Sequence, residues 1–147
     1  MEINYTLKDV EQVAKQLVSN LNTKTVLVYG AMGVGKTTLV KAIVKALGSA
    51  DDVSSPTFSL VNEYEAGNAK IYHFDLYRIK DAEELYNFGI EDYLFSNHWS
   101  IVEWPEKIED MMSLRFDRVD LELNPDNSRT LKLNYKNEFN LTNHAEL

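Results

Sequence analysis

Residues 25–38 read Thr25-Val26-Leu27-Val28-Tyr29-Gly30-Ala31-Met32-Gly33-Val34-Gly35-Lys36-Thr37-Thr38, and this stretch decides the fold. Thr25–Tyr29 is a continuous run of β-formers, the pattern of a strand covered on both faces. Gly30–Thr37 then fits the spacing G-x-x-x-x-G-K-[ST]. Beyond it, Leu39, Ile43, Val44 and Leu47 line one side of a helix predicted over Thr37–Leu47. A strand, a glycine-rich turn and a helix in succession open an α/β unit.

The spacing has a physical reason. Glycines let the backbone curl so that successive N–H groups point inward with no Cβ in the way. The helix that follows adds the positive end of its dipole, which favours an anion. Lys36 supplies a movable charge for the β- and γ-phosphates of a nucleotide, and the Thr37 hydroxyl is placed to ligate Mg²⁺. Thr38 is a candidate donor to the α-phosphate. A Mg²⁺ site of this kind takes a second carboxylate from the end of a neighbouring strand. Glu103, closing the apolar run Trp99–Glu103, and Asp75, closing Lys70–Asp75, are the two candidates. No Asn-Lys-x-Asp guanine signature occurs, which favours adenine.

Outward from this centre, Val10, Val13, Ala14, Leu17, Val18 and Leu21 form one apolar stripe of an earlier helix. Thr6 and Asp9 are spaced as a capping box for it. Asp51–Thr57 is polar and reads as a loop. Phe58–Tyr64 and Lys70–Asp75 read as a hairpin around Ala66-Gly67-Asn68. A short helix is predicted over Asp81–Asn87 and another from Pro105 to Met112. Arg118–Leu123 and Thr130–Tyr135 alternate polar and apolar residues and read as an antiparallel edge hairpin. Arg129, beside its turn, reads as a solvated arginine or as one that reaches a phosphate or a partner. His73 is expected to pack next to Asp75.

The chain has 147 residues, an amount that suits one domain. The fold class is therefore α/β: a single P-loop domain over 1–136, with a mainly parallel central sheet flanked by helices, and a polar tail over 137–147. The formal charge is −8. A field of that sign repels phosphate and disfavours autonomous binding to nucleic acid or to an anionic membrane; a local basic pocket is compatible with it. There is no cysteine, which excludes thiol nucleophiles, disulfides and zinc–cysteine sites. The longest uncharged stretch, Thr25–Gly35, falls well short of the ~18–20 apolar residues of a spanning helix. The N-terminal MEINYTLKDV carries charges and no apolar core, unlike a signal peptide, so a cytoplasmic location is expected.

Gly30–Thr38 (GAMGVGKTT) is followed in order by Ser55–Tyr64 (SPTFSLVNEY), Tyr72–Ile79 (YHFDLYRI), Glu83–Leu94 (EELYNFGIEDYL) and Val102–Glu106 (VEWPE). This succession closely resembles the bacterial TsaE family, also called YjeE, from about Thr6 to Tyr135. The resemblance implies a cytoplasmic ATPase using ATP and Mg²⁺, needed for the threonylcarbamoyl modification of adenosine 37 in tRNAs that read codons starting with A. It implies binding to a TsaD–TsaB transferase pair, which ATP hydrolysis resets between turnovers; the −8 charge adds the expectation of no direct tight binding to tRNA. By position, Gly33, Val34, Gly35, Lys36, Thr37 and Thr38 would hold the phosphates, and Thr37 and Glu103 would share the Mg²⁺. Asp75 would lie beside the γ-phosphate as a residue needed for hydrolysis, alongside Lys36 and Glu103. Trp104 would lie near the nucleotide, Thr6 near the adenine, and Ser55–Thr57 in a switch-like loop. Ala31 departs from the acidic residue usual in the family; because the loop works through backbone N–H groups, binding is expected to survive.

Two other functions share the same core. A small-molecule kinase needs an acceptor pocket and a lid with several arginines, whereas the only arginines here are the scattered Arg78, Arg115, Arg118 and Arg129. A non-catalytic nucleotide-dependent binding module would bind without releasing phosphate.

Overall fold

The computed structural model describes residues 1–51, 60–109 and 115–136. Its strands are β1 (Glu2–Tyr5), β2 (Thr25–Tyr29), β3 (Val61–Ala66), β4 (Ala69–Asp75), β5 (Trp99–Glu103), β6 (Phe116–Leu123) and β7 (Arg129–Lys136). Its α-helices are α1 (Val10–Val18), α2 (Lys36–Ala46), α3 (Ala82–Phe88) and α4 (Ile90–Leu94). One sheet runs in the order β1-β7-β6-β2-β5-β4-β3. The four central strands β6, β2, β5 and β4 are parallel to one another, β7 and β3 pair antiparallel at the two sides, and β1 pairs antiparallel with β7.

β2 shows why the sheet has two covered faces. All five of its residues are buried. Strand alternation sends Val26 and Val28 into a core with Leu17 of α1 and with Leu39 and Ile43 of α2. Leu27 and Tyr29 point the other way, into a second core with Phe74, Leu85, Ile90 and Ile108. A central strand with apolar side chains on both faces requires helices on both sides. The chain supplies them as α1 and α2 on one face and α3 and α4 on the other.

Several boundaries differ from those read in the sequence. The first helix begins with a 3₁₀ turn over Leu7–Asp9, and the capping box does not form. The Thr6 hydroxyl instead donates to the Asp9 carboxylate at 3.1 Å. The helix ends at Val18, so Leu21 reaches the core from the turn beyond it. The C-terminal hairpin is antiparallel as expected, but β1 pairs with β7 and takes the outer position. Glu2–Tyr5 alternates in burial but is only four residues long, too short for periodicity alone to single it out. The Pro105 segment opens with a 3₁₀ turn over Pro105–Lys107, and positions 110–112 of the helix expected there lie outside the described residues; α4 follows α3 through Gly89, whose left-handed backbone ends one helix and starts the next. Asp81 caps α3 by accepting the Glu84 N–H at 3.2 Å. Ser55–Thr57 and the tail 137–147 lie outside the described residues.

A buried carboxylate ties the bottom of the sheet together. Asp117 on β6 accepts hydrogen bonds from the Asn22 and Thr23 backbone N–H groups and from the Thr23 hydroxyl, the last at 2.7 Å. Three donors on one carboxylate compensate its burial and fix the loop that feeds β2. On the second face, Phe74 is fully buried between the sheet and α4, with the Tyr93 ring edge-on at 5.5 Å. Phe74→Ala is expected to lower the unfolding free energy by about 3–5 kcal/mol in a denaturant titration; a loss under about 1 kcal/mol would contradict this packing.

Candidate functional site

The register of three parallel strands builds the site. Val28 of β2 lies opposite Glu103 of β5, and Glu103 lies opposite Asp75 of β4. The parallel order puts all three at the carboxyl ends of their strands, where open α/β sheets bind ligands. Alternation decides which side chains share a face. Ile71 and Ile101 pack on the α1–α2 side, so His73, Asp75 and Glu103 follow on that side. Along this face the strands change from apolar to polar just where β2 leaves the sheet and turns into α2.

The turn itself has the form its glycines require. Gly33 and Gly35 have φ of +80° and +106°, a left-handed backbone that other residues adopt only with strain. Gly35 is the residue before α2 and provides no side-chain cap. A helix N-terminus without a side-chain cap favours an anion. At Gly30 the constraint is space: a Cβ there would lie 2.8 Å from Val34 Cγ1 and 3.1 Å from the Leu121 carbonyl oxygen.

Lys36 is buried and folded back over the turn. Its ammonium donates to the Gly30 carbonyl at 2.6 Å and sits 3.2 Å from the centre of the Trp104 ring. Burial lowers its pKa from the ordinary lysine value, and the carboxylates of Glu103, Glu106 and Asp75 work against that shift. Trp104 has a left-handed backbone (φ +56°) and its ring lies 4.9 Å from that of Tyr77. The Trp104 ring thus covers the ammonium, with Tyr77 packed against the indole.

Thr37, in the first turn of α2, donates its hydroxyl to Glu103 Oε1 at 3.0 Å and approaches Oε2 at 3.3 Å. His73 Nε2 lies 2.6 Å from Glu103 Oε2. This corrects the expectation that His73 packs next to Asp75. The two share a strand face two residues apart, but the histidine turns across to β5. Asp75 accepts the Tyr77 backbone N–H at 3.1 Å.

The remaining sequence candidates surround the same turn. Thr38 is exposed on the first turn of α2. Thr6 is exposed, and its neighbour Leu7 reaches the turn: a Cβ on Gly35 would lie 3.8 Å from Leu7 Cδ2. Arg129 does more than a solvated turn arginine. Its Nε donates to the Val34 carbonyl at 3.2 Å and one terminal N–H to Asn127 O at 2.7 Å, so the β6–β7 turn braces the glycine-rich loop.

The donor set suits Mg²⁺ with a nucleotide better than a metal held by protein alone. A threonine hydroxyl and one carboxylate meet at the foot of a phosphate-type loop. Among the described residues, no group of three His, Cys, Asp or Glu side chains converges as a metal cage. Mg²⁺ is commonly bound by one or two carboxylates together with substrate phosphates. Nor is any described helix long and apolar enough to cross a membrane.

A family model for threonylcarbamoyl adenosine biosynthesis protein TsaE matches residues 5–132. The chain belongs to the TsaE family. Relatives include the tRNA threonylcarbamoyladenosine biosynthesis protein TsaE of Haemophilus influenzae, 43% identical over 63% of this chain and 60% of that protein. The TsaE of Rickettsia conorii is 36% identical over 95% of this chain and 76% of its own length. A crystal structure of YdiB from Bacillus subtilis has the same fold, with a TM-score of 0.69 at 21% identity over 90% of this chain and 84% of that one. As a TsaE family member the chain has its place in tRNA threonylcarbamoyladenosine biosynthesis.

The Lys36–Trp104 contact is directly testable. Trp99 and Trp104 are the two tryptophans, so Trp99→Phe leaves Trp104 as sole reporter. Saturating ADP should draw Lys36 off the ring and change the emission; unchanged emission, with binding verified by calorimetry, would contradict the arrangement.

Proposed function

We propose that this TsaE family member binds ATP with Mg²⁺ in the loop 30–38, hydrolyses it to ADP and phosphate, and thereby resets a TsaD–TsaB transferase pair. The supporting observation is the Thr37 hydroxyl held 3.0 Å from the Glu103 carboxylate, directly beside Lys36 at the start of α2. The amides of Gly33 to Thr38 bind the phosphates, and Lys36 leaves the Gly30 carbonyl to join them. Thr37 and Glu103 hold the Mg²⁺, which when bound neutralises charge on the β- and γ-phosphates. Asp75, next to Glu103 in register, orients the attacking water as a hydrogen-bond acceptor. Thr6 and Trp104 flank the nucleotide.

Partner dependence fits both the charge and the site. The −8 charge suits a protein that acts on a protein complex rather than on bare tRNA. A kinase reading is less well supported, because the arginines a lid would need are engaged elsewhere. Arg118 pairs with Asp120 at 2.9 Å and Arg129 braces the loop.

Phosphate release from ATP, measured with and without the TsaD–TsaB pair, tests this reading. Release should be slow alone and rise with the pair. Asp75→Ala should lower the stimulated rate about 100-fold or more, and Lys36→Ala should abolish it. No release in any combination, with ATP-dependent binding to the pair intact, would instead establish a non-catalytic module. Phosphate appearing on an added small alcohol or nucleotide would establish a kinase. An unchanged rate in Asp75→Ala would remove the catalytic role from that residue.

A further inference from the structure

Glu103 is 2% exposed, so its carboxylate needs donors from the protein. Among the described residues these donors are the Thr37 hydroxyl and His73. They serve different oxygens: Thr37 is nearer Oε1, and His73 meets Oε2 at 2.6 Å. His73 is itself fully buried, and its Nδ1 has no hydrogen-bond partner among the described residues. The ring proton therefore sits on Nε2, where Glu103 accepts it; a proton on Nδ1 would be buried without an acceptor. The ring is flanked by Tyr64, centroids 6.4 Å apart, and is carried by a strand paired on both sides.

We propose that His73 is a positioning residue that pins Oε2 of Glu103 so that Oε1 and the Thr37 oxygen stay presented together. This rests on the reading of Thr37 and Glu103 as the residues that hold Mg²⁺. The reasoning is geometric. When Thr37 turns its oxygen toward a metal, it stops donating to Glu103. His73 is then the one described donor left on the carboxylate, and without it a buried acid side chain is free to rotate or withdraw. A histidine hydrogen-bonded behind a ligating group is a common outer-shell device, and losing such a partner typically costs 10–100-fold in metal affinity. Asp75 is not needed for this role, although it lies on the same face.

The test is calorimetric titration of the whole chain with ADP across a range of Mg²⁺ concentrations and in excess chelator. His73→Phe keeps a ring and removes the donor; His73→Gln restores an N–H. In His73→Phe the Mg²⁺ needed for half-maximal enhancement of ADP affinity should rise by about 10-fold or more. Affinity in chelator should stay within about 2-fold, since the phosphate-binding amides are untouched. His73→Gln should recover most of the loss. A folded His73→Phe protein with wild-type Mg²⁺ dependence, or equal losses with and without Mg²⁺, would overturn the proposal while leaving the nucleotide site standing. Wild-type ADP binding that ignores Mg²⁺ would instead overturn the metal assignment to Thr37 and Glu103. Should His73→Phe fail to fold, ¹⁵N imidazole spectra of the wild type decide. They should show the proton on Nε2 and a shift of that nitrogen when Mg²⁺ and ADP are added together but not with ADP in chelator. A proton on Nδ1, or no Mg²⁺-specific shift, would overturn it.

Discussion

The hydrogen bond between Thr37 and Glu103 is where the two halves of the fold meet. One partner belongs to the first turn of a helix, the other to the last residue of a strand 66 positions away in sequence. Their approach depends on the parallel pairing of β2 with β5, which sets Val28 opposite Glu103 and so brings the carboxylate level with the start of the loop. A slip of one residue would move Glu103 to the opposite face of the sheet, toward α3 and α4. The apolar residues on both sides of β2 and β5 make that slip costly, since each would exchange one core for the other. Core packing thus fixes the position of a polar contact.

The polar groups around that contact form two connected sets. Glu103 receives Thr37 on one side and His73 on the other. Lys36, within the field of the same carboxylate, spends its hydrogen bond on Gly30 and its charge on the Trp104 ring. Apart from His73 Nδ1, the polar atoms of both sets find partners within the protein, so the side chains are held in place without a ligand. On the proposed reading, binding a phosphate chain would exchange a few hydrogen bonds: Lys36 would leave a carbonyl and Thr37 a carboxylate. Arg129 holds the loop through the Val34 carbonyl. These are side-chain movements within a backbone already fixed by left-handed glycines and helix α2.

Much of this was legible in the sequence, for identifiable reasons. β2, the glycine turn and α2 were readable because their signals are local: a β-rich run, fixed glycine spacing and a 3.6-residue period. Glu103 and Asp75 stood out as carboxylates closing apolar runs. What escaped was contact between distant segments. Nothing near His73 indicates that β5 is its neighbour, so Asp75, two residues along, was the natural partner to assign. Arg129 looked like a turn arginine because the turn's position above the loop is a property of the sheet order. β1 was missed because four residues are too short a run for their alternating burial to stand out as a period. Thr6 and Asp9 had the spacing of a capping box, yet their side chains bond to each other and the helix starts through a 3₁₀ turn.

A crystal structure of the protein with ADP and Mg²⁺ would examine the Thr37–Glu103 contact at its point of use. If these residues grip the metal, the diphosphate lies within the amides of residues 30–38 and the Thr37 oxygen sits about 2.0–2.1 Å from the ion. The Glu103 carboxylate then faces the ion, and Lys36 has moved from the Gly30 carbonyl to the phosphates. Nucleotide bound elsewhere with the loop empty, or Glu103 turned away from the ion with Thr37 still bonded to it, would contradict that reading of the site.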